Sequence, residues 1–369
     1  IKNFILILLF ILPISNSFAA MVTFVQNKDV SESKMVVAGI HFNPAGTKMF
    51  VVSSLKSNSY TDVYEYNLST PFDISTASYA TDAERCNLDS GSTTLGPISF
   101  VYDLEFSNDG MKLFVGRGAN AASTDADRVF RFDLTSPYDV STCSFVNQTS
   151  ELDTSALQDD SNAGNVTLGS SNRLQGIEIS DDGTKLFAIF HSTGGNTRLL
   201  EYQLSTAFDL SDISLVTNAG IELEDEIANP KGIRFSPDGK RLWAVDHQNT
   251  AAGKDVTQIS LDVAFSTSSF TIDGTVSIAS TNAEPDGIAF STNGLKMYVG
   301  GDTTKLVIEY DLVCPFNIIA GKCPSITENS DRTGIAIAQI EVATRTIEHS
   351  TDTALNRLKW IRRNKDNQN

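Results

Sequence analysis

Apolar residues recur along the chain in short runs broken by turn-forming residues, and one arrangement of them is written five times. Its clearest copy is Gly176-Ile177-Glu178-Ile179-Ser180-Asp181-Asp182-Gly183-Thr184-Lys185-Leu186-Phe187-Ala188. The others run from Gly39 to Val51, Asp103 to Val115, Gly232 to Ala244 and Gly287 to Val299. Each predicts a strand, a turn closing on glycine, a Lys or Arg two residues later, and a second strand. Asp-Gly or Asn-Gly between apolar runs supplies the positive φ that a tight hairpin demands.

An alternating third strand follows in every copy: Val63–Leu68, Val129–Leu134, Leu200–Leu204, Val256–Leu261 and Val307–Leu312. Next comes an aromatic-Asp turn with a short alternating run, Ser69–Tyr79, echoed by Thr135–Phe145, Ser205–Leu215 and, more loosely, Val263–Phe270. The aromatic is expected to plug the turn and the run to form a fourth strand. Four antiparallel strands per repeat, with no helical period between them, describe a propeller blade.

The turn glycines Gly46, Gly110, Gly183, Gly239 and Gly294 are spaced by 64, 73, 56 and 55 residues. The excess over a minimal blade falls in the Ser/Thr/Asn/Asp/Gly-rich segments 80–100 and 146–174. The fifth copy lacks a fourth strand, while Met21–Gln26 precedes the first copy with no hairpin of its own. Circular closure pairs these two open edges. The expected fold is therefore all-β: a single β-propeller of five four-stranded blades over residues 20–325, closed by an N-terminal strand.

Both ends differ from the repeats. Lys2, an apolar run from Phe4 to Pro13 and a small-residue exit at Ala19-Ala20 read as a secretory signal peptide over residues 1–19. From Thr333, Ala336, Ile340, Ala343, Ile347, Ala354, Leu358 and Ile361 recur mostly at three- or four-residue spacing, so residues 326–369 are expected to form an amphipathic C-terminal helix or linker. It ends in the basic Arg357–Lys365 stretch around Trp360.

Composition narrows the partners. With 45 acidic against 28 basic residues the net charge is −17, and the repeats hold no clustered basic footprint, so no nucleic acid is expected. Four cysteines fit an oxidising compartment. Cys314 and Cys323 are spaced for a local disulfide, and Cys86 and Cys143 follow the third strands of consecutive repeats, where a bond would link neighbouring outer strands. A zinc site is the rival, but no CxxC pair or paired histidine accompanies them.

The repeated Gly-Ile-x-Phe-Ser-x-Asp-Gly-x-Lys-Leu-x-Val phrase, over roughly residues 36–325, resembles the bacterial propeller repeats of the lactonase-like and NHL-like type. That resemblance implies the fold. For activity it spans lactonases, carbohydrate-active lyases and pure binding modules. The tail resembles the linker helix that precedes the outer-membrane barrel of some bacterial autotransporters, which expects a barrel to follow Asn369. The other reading of the tail is a helix packed on the propeller base, or a partly disordered tail.

Candidate chemistry sits where the copies disagree. The residues after the second strands are Ser54, Arg117, His191, Asp246 with His247, and Asp302, which should gather at one mouth of the channel. Arg117, His191, Asp246, His247 and Asp302 form the candidate ligand site, able to take a small anionic or sugar-like molecule; the bland alternative is solvated loop ends. His191, Asp246, His247 and Asp302 are the candidates if catalysis occurs. A second column, His41, Glu105, Glu178, Arg234 and Ala289, lies within the first strands and should face the channel. It reads either as an acid–base or metal-ligand cluster or, preferred because buried charges persist mainly when paired, as a ring of inter-blade ion pairs with Arg234 compensating the glutamates.

No nucleophile elbow, His-Glu-x-x-His or phosphate loop is present, and Asp181-Asp182-Gly183 occupies the turn slot rather than a calcium loop. No cofactor or metal is expected. The sequence thus favours a monomeric, exported binding module for a glycan, small-molecule or protein ligand, in the periplasm or on the outer-membrane surface, displayed as an autotransporter passenger and anchored only through a barrel beyond Asn369. The alternative is a propeller hydrolase or lyase acting on a sugar or lactone at the channel mouth.

Overall fold

The computed structural model describes residues 21–31, 36–54, 61–88, 98, 100–118, 126–152, 173–191, 197–217, 219–247, 255–282, 284–301 and 305–323. The expected signal peptide over 1–19, the expected C-terminal helix or linker over 326–369 and Asp302 lie outside the described residues. Among those described, 22 strands form five antiparallel sheets arranged as the five blades of a propeller.

Strand β1 (Val22–Asp29) opens the chain. Blade 1 holds β2 (Val36–Phe42), β3 (Lys48–Ser54), β4 (Asp62–Leu68), β5 (Ala77–Tyr79) and β6 (Cys86–Asn87). Blade 2 holds β7 (Val101–Phe106), β8 (Lys112–Arg117), β9 (Arg128–Asp133) and β10 (Ser144–Gln148). Blade 3 holds β11 (Arg173–Ile179), β12 (Lys185–His191), β13 (Thr197–Leu204), β14 (Ile213–Leu215) and β15 (Ile221–Glu222). Blade 4 holds β16 (Pro230–Phe235), β17 (Arg241–Asp246), β18 (Val256–Leu261) and β19 (Phe270–Val276), and blade 5 holds β20 (Pro285–Phe290), β21 (Lys296–Gly301) and β22 (Leu306–Leu312).

The expected closure is present. β1 pairs antiparallel with β22, from Val22 opposite Leu312 to Asp29 opposite Leu306, and completes blade 5. The outer strands are less regular than the alternation predicts. In blades 1 and 3 the fourth strand is split, so that β5 and β6 both pair with β4, and β14 and β15 both pair with β13. In blade 4 it starts at Phe270, where the sequence reading ended it, because Val263–Ser269 is spent on the turn.

The repeat motif is a lock between the hairpin turn and that later turn. Phe72, Tyr138, Phe208, Phe265 and Phe316 all have positive φ, a conformation that costs a bulky residue roughly 1–2 kcal/mol. Each donates its N–H to the carbonyl of its own turn glycine, as Phe72 does to Gly46 at 2.9 Å and Phe208 to Gly183 at 2.7 Å. The ring then covers that glycine so closely that a Cβ on Gly46 would lie 2.2 Å from the Phe72 ring. Only glycine fits there, on φ and on space alike. The Asp that follows caps the next turn: Asp73 accepts from the Ser75 N–H and Asp139 from the Ser141 N–H.

Neighbouring blades are clasped through the same aromatic. Its carbonyl accepts from the preceding blade: Tyr138 O from Lys48 Nζ, Phe208 O from Arg131, Phe265 O from Lys185 Nζ, Phe316 O from Arg241, and Phe72 O from the Tyr298 hydroxyl. Large apolar side chains such as Phe50, Phe114, Phe187, Trp243 and Tyr298 fill the space between sheets and are fully buried. The Cys86–Cys143 disulfide ties blade 1 to blade 2, and Cys314–Cys323 closes the loop after β22.

Candidate functional site

The five innermost strands β2, β7, β11, β16 and β20 meet around the channel axis. At one level four of them carry glycine, and their backbones nearly touch: a Cβ on Gly287 would lie 2.7 Å from Gly39 Cα, and one on Gly232 would lie 3.1 Å from Gly287 Cα. Blade 2 places Asp103 in this slot instead. Its carboxylate accepts the Leu104 N–H at 2.9 Å and the Ile177 N–H at 3.1 Å, with a further backbone bond from Ile233, so it is held by amides of three blades.

The column one step below is drawn together by Arg234. Its Nε donates to Ile288 O at 3.3 Å, and Nη2 makes long bonds to Ile40 O and Leu104 O at 3.4 and 3.5 Å. Nη1 pairs with Glu178 Oε2 at 2.9 Å and with Glu105 Oε2. One guanidinium from blade 4 thereby touches every other blade. His41 Nδ1 lies 3.5 Å from Glu105 Oε2 with its ring against Phe106, and Ala289 adds no polar group. The channel is filled at this depth by a compensated cluster.

Burial governs its protonation. Asp103, stripped of water, is pushed up to about 7, against the pull of Arg234 and its amide donors. Burial, then the Asp103 charge, pushes Glu178 well above the usual carboxylate range. Burial, then Arg234, holds His41 well below an ordinary imidazole, so it is neutral at neutral pH. Burial also lowers the Arg234 guanidinium.

Toward the ends where the innermost strands begin lies the mouth. Each of these strands carries a β-bulge at the same place, between Val37 and Gly39, Val101 and Asp103, Leu174 and Gly176, Pro230 and Ile233, and Pro285 and Ile288. Bulges re-aim side chains, and the residue released in each blade is the one before the axial slot: Ala38, Tyr102, Gln175, Lys231 and Asp286. Three of these connect. Lys231 Nζ lies 5.2 Å from the Tyr102 ring centroid and 3.6 Å from Asp286 Oδ1, and Asp286 Oδ1 lies 2.9 Å from His247 Nδ1. Lys231 in blade 4 thus reaches an aromatic two blades away.

The sequence-predicted mouth residues have divided roles. His247 joins the Lys231–Asp286 pair. His191, at the end of β12, is depressed by burial and by the nearby charges of Lys231 and Arg173, and is neutral. Asp246 turns to the loop before β16 and accepts the Ala228 and Asn229 N–H groups at 3.1 and 3.0 Å. Arg117 donates from Nε and Nη2 to Ala126 O and stacks 5.1 Å from the Phe130 ring centroid. Tyr102, Gln175, Lys231 and Asp286 were missed, although the copies also disagree at the position before the glycine slot. Asp182 accepts from the Ser180 hydroxyl and the Thr184 N–H, as a turn residue does.

Fold and mouth together define a five-bladed β-propeller with a charged, partly aromatic opening. No protein-family model matches the sequence, and no curated protein does. Among solved structures, it is similar to a Bacteroides uniformis protein ascribed to the 6-phosphogluconolactonases, at 14% identity and TM-score 0.40, covering 76% of this chain and 68% of that one. The periplasmic gluconolactonase of Pseudomonas aeruginosa aligns at 14% identity and TM-score 0.40 over 71% of this chain and 64% of that one. A gluconolactonase of Xanthomonas campestris aligns at 11% identity and TM-score 0.37 over 74% and 81%.

Two stability measurements test the axis. Removing one partner of a buried ion cluster costs about 3–5 kcal/mol, so Arg234→Met is expected to lose that much in urea unfolding, and Arg234→Met/Glu105→Gln/Glu178→Gln to recover at least half; a triple variant no better than the single contradicts the pairing. For Asp103, the folded state keeps to about pH 7 a proton that the unfolded chain releases near pH 4. The stability due to that proton is complete below about pH 4 and falls by about 1.4 kcal/mol per pH unit until the folded carboxyl ionises. The stability of wild type minus that of Asp103→Asn should therefore decline from pH 4.5 to pH 7; a difference that is flat or rises with pH contradicts the assignment.

Proposed function

We propose that the protein is an exported β-propeller that hydrolyses a sugar-like lactone or ester at the mouth of its channel. The contact that carries this reading is His247 Nδ1 to Asp286 Oδ1 at 2.9 Å, with the Lys231 ammonium 3.6 Å from the same oxygen. A carboxylate that accepts from Nδ1–H fixes the tautomer and makes Nε2 the proton-accepting atom. In the reaction, Nε2 takes a proton from water as its oxygen bonds to the carbonyl carbon. The Lys231 ammonium stabilises the oxyanion, and the resulting imidazolium returns its proton to the leaving ring oxygen as the carbon–oxygen bond breaks. The product is a hydroxy acid.

A second reading is ligand binding without turnover. It is supported by Asp286 Oδ1 being shared between His247 and Lys231, an arrangement that also suits a polar clamp. Export is supported by the pairing of all four cysteines in two disulfides, which persist in oxidising compartments. The finer form of that reading, display as an autotransporter passenger, draws on the tail's sequence alone. It is checked by the coding frame after Asn369: a continuation into a barrel supports it, and a stop codon removes it.

The hydrolytic reading is tested with D-glucono-1,5-lactone and δ-valerolactone followed by acid release. Turnover above buffer is expected, with kcat lowered about 10²–10⁴-fold by His247→Gln and KM raised by Lys231→Met. Saturable binding of a lactone with no turnover contradicts hydrolysis and leaves the binding reading.

A further inference from the structure

Among the buried polar atoms without a partner, two in blade 3 lie at the mouth and have no part in this chemistry. Gln175 is only 4% exposed, and its Oε1 has no hydrogen-bond donor. His191 Nδ1 is also buried and has no partner. The two lie close in the sheet: Arg173 pairs with His191 and Leu174 with Phe190, and Gln175 is the next residue, released by the bulge. A buried acceptor without a donor costs about 1–3 kcal/mol, so native folds retain few of them. Lys231 is engaged with Asp286 and the Tyr102 ring.

We infer that blade 3 is the recognition side of the mouth, where Gln175 Oε1 and His191 Nδ1 take two hydroxyl groups of a polyhydroxylated six-membered ring whose carbonyl faces Lys231 and His247. The ring's orientation rests on the hydrolytic reading; the choice of hydroxyl groups rests on blade 3 alone. An amide oxygen accepts and does not donate, so it repels a carboxylate or ether oxygen and suits a hydroxyl. A neutral imidazole has one donor and one acceptor, and a hydroxyl satisfies either. An unsubstituted lactone would leave Gln175 as unpaired as it is now. Sites built to hydrogen-bond a hydroxyl reject analogues that lack it far more strongly than apolar pockets reject an extra one.

The test uses two rings that cannot be hydrolysed: 1,5-anhydro-D-glucitol, which carries four hydroxyl groups, and (tetrahydropyran-2-yl)methanol, which carries one. Titration calorimetry on the wild-type protein is expected to give saturable binding of the first and at least about tenfold weaker binding of the second, one lost hydrogen bond being worth about that factor. Gln175→Met, close to isosteric, should weaken the first at least about tenfold and leave the second within about threefold. Equal affinity for the two rings, no binding of either, or an unaltered preference in the variant overturns the inference. The two-ring comparison on wild type decides the matter even if the variant does not fold. Lactone turnover with no preference for the hydroxylated ring removes blade 3 recognition while hydrolysis stands; ring preference without lactone turnover removes hydrolysis while recognition stands.

Discussion

Five strands must approach one axis closely enough that their backbones almost touch, and this constraint shapes the rest of the molecule. Converging strands leave amides and carbonyls pointing into a space too narrow for ordinary side chains. The protein answers with one Asp at the glycine level and one Arg at the level below. Asp103 replaces glycine and collects amides of blades 2, 3 and 4. Arg234 stands where the other copies have His41, Glu105, Glu178 and Ala289, and collects carbonyls of blades 5, 1 and 2 together with both glutamates. A symmetric repeat could not do this, since five arginines or five aspartates at one level would repel one another.

At the periphery the logic is reversed, and every copy obeys the same rule. The aromatic that caps the hairpin turn is held at positive φ, covers the turn glycine, and offers its carbonyl to a donor of the preceding blade. The donor varies among Lys48, Arg131, Lys185, Arg241 and Tyr298, while the acceptor is fixed by the backbone. Repetition of the acceptor serves the blade contacts, whereas at the axis the copies differ in the side chains themselves.

Much of this architecture was legible in the chain. Turn glycines, third strands and the lone β1 sequence give the blade number and the closure, because local pattern and ring closure point to the same answer. Cys86 and Cys143 were readable from their place after consecutive third strands. The axial cluster was partly legible, since Arg234 among glutamates in one repeat column already implies compensation. The mouth was less so. The residues after the second strands include His191, His247, Arg117 and Asp246; His247 meets Asp286, while Arg117 and Asp246 bond to loop backbone. Tyr102, Gln175, Lys231 and Asp286 escaped because strict alternation gives them no special direction; the bulge that releases them is a backbone event with no residue signature of its own.

The chemistry proposed for the mouth depends most on an imidazole held by a carboxylate through Nδ1. With four histidines in the chain, nitrogen-15 NMR of the imidazole rings, assigned by His247→Gln, reads the tautomer of His247 directly. The Nδ1–H form is expected at neutral pH, with its proton shifted downfield by Asp286 and reverting toward the free value in Asp286→Asn. An Nε2–H tautomer, or a His247 signal indifferent to Asp286, would contradict it.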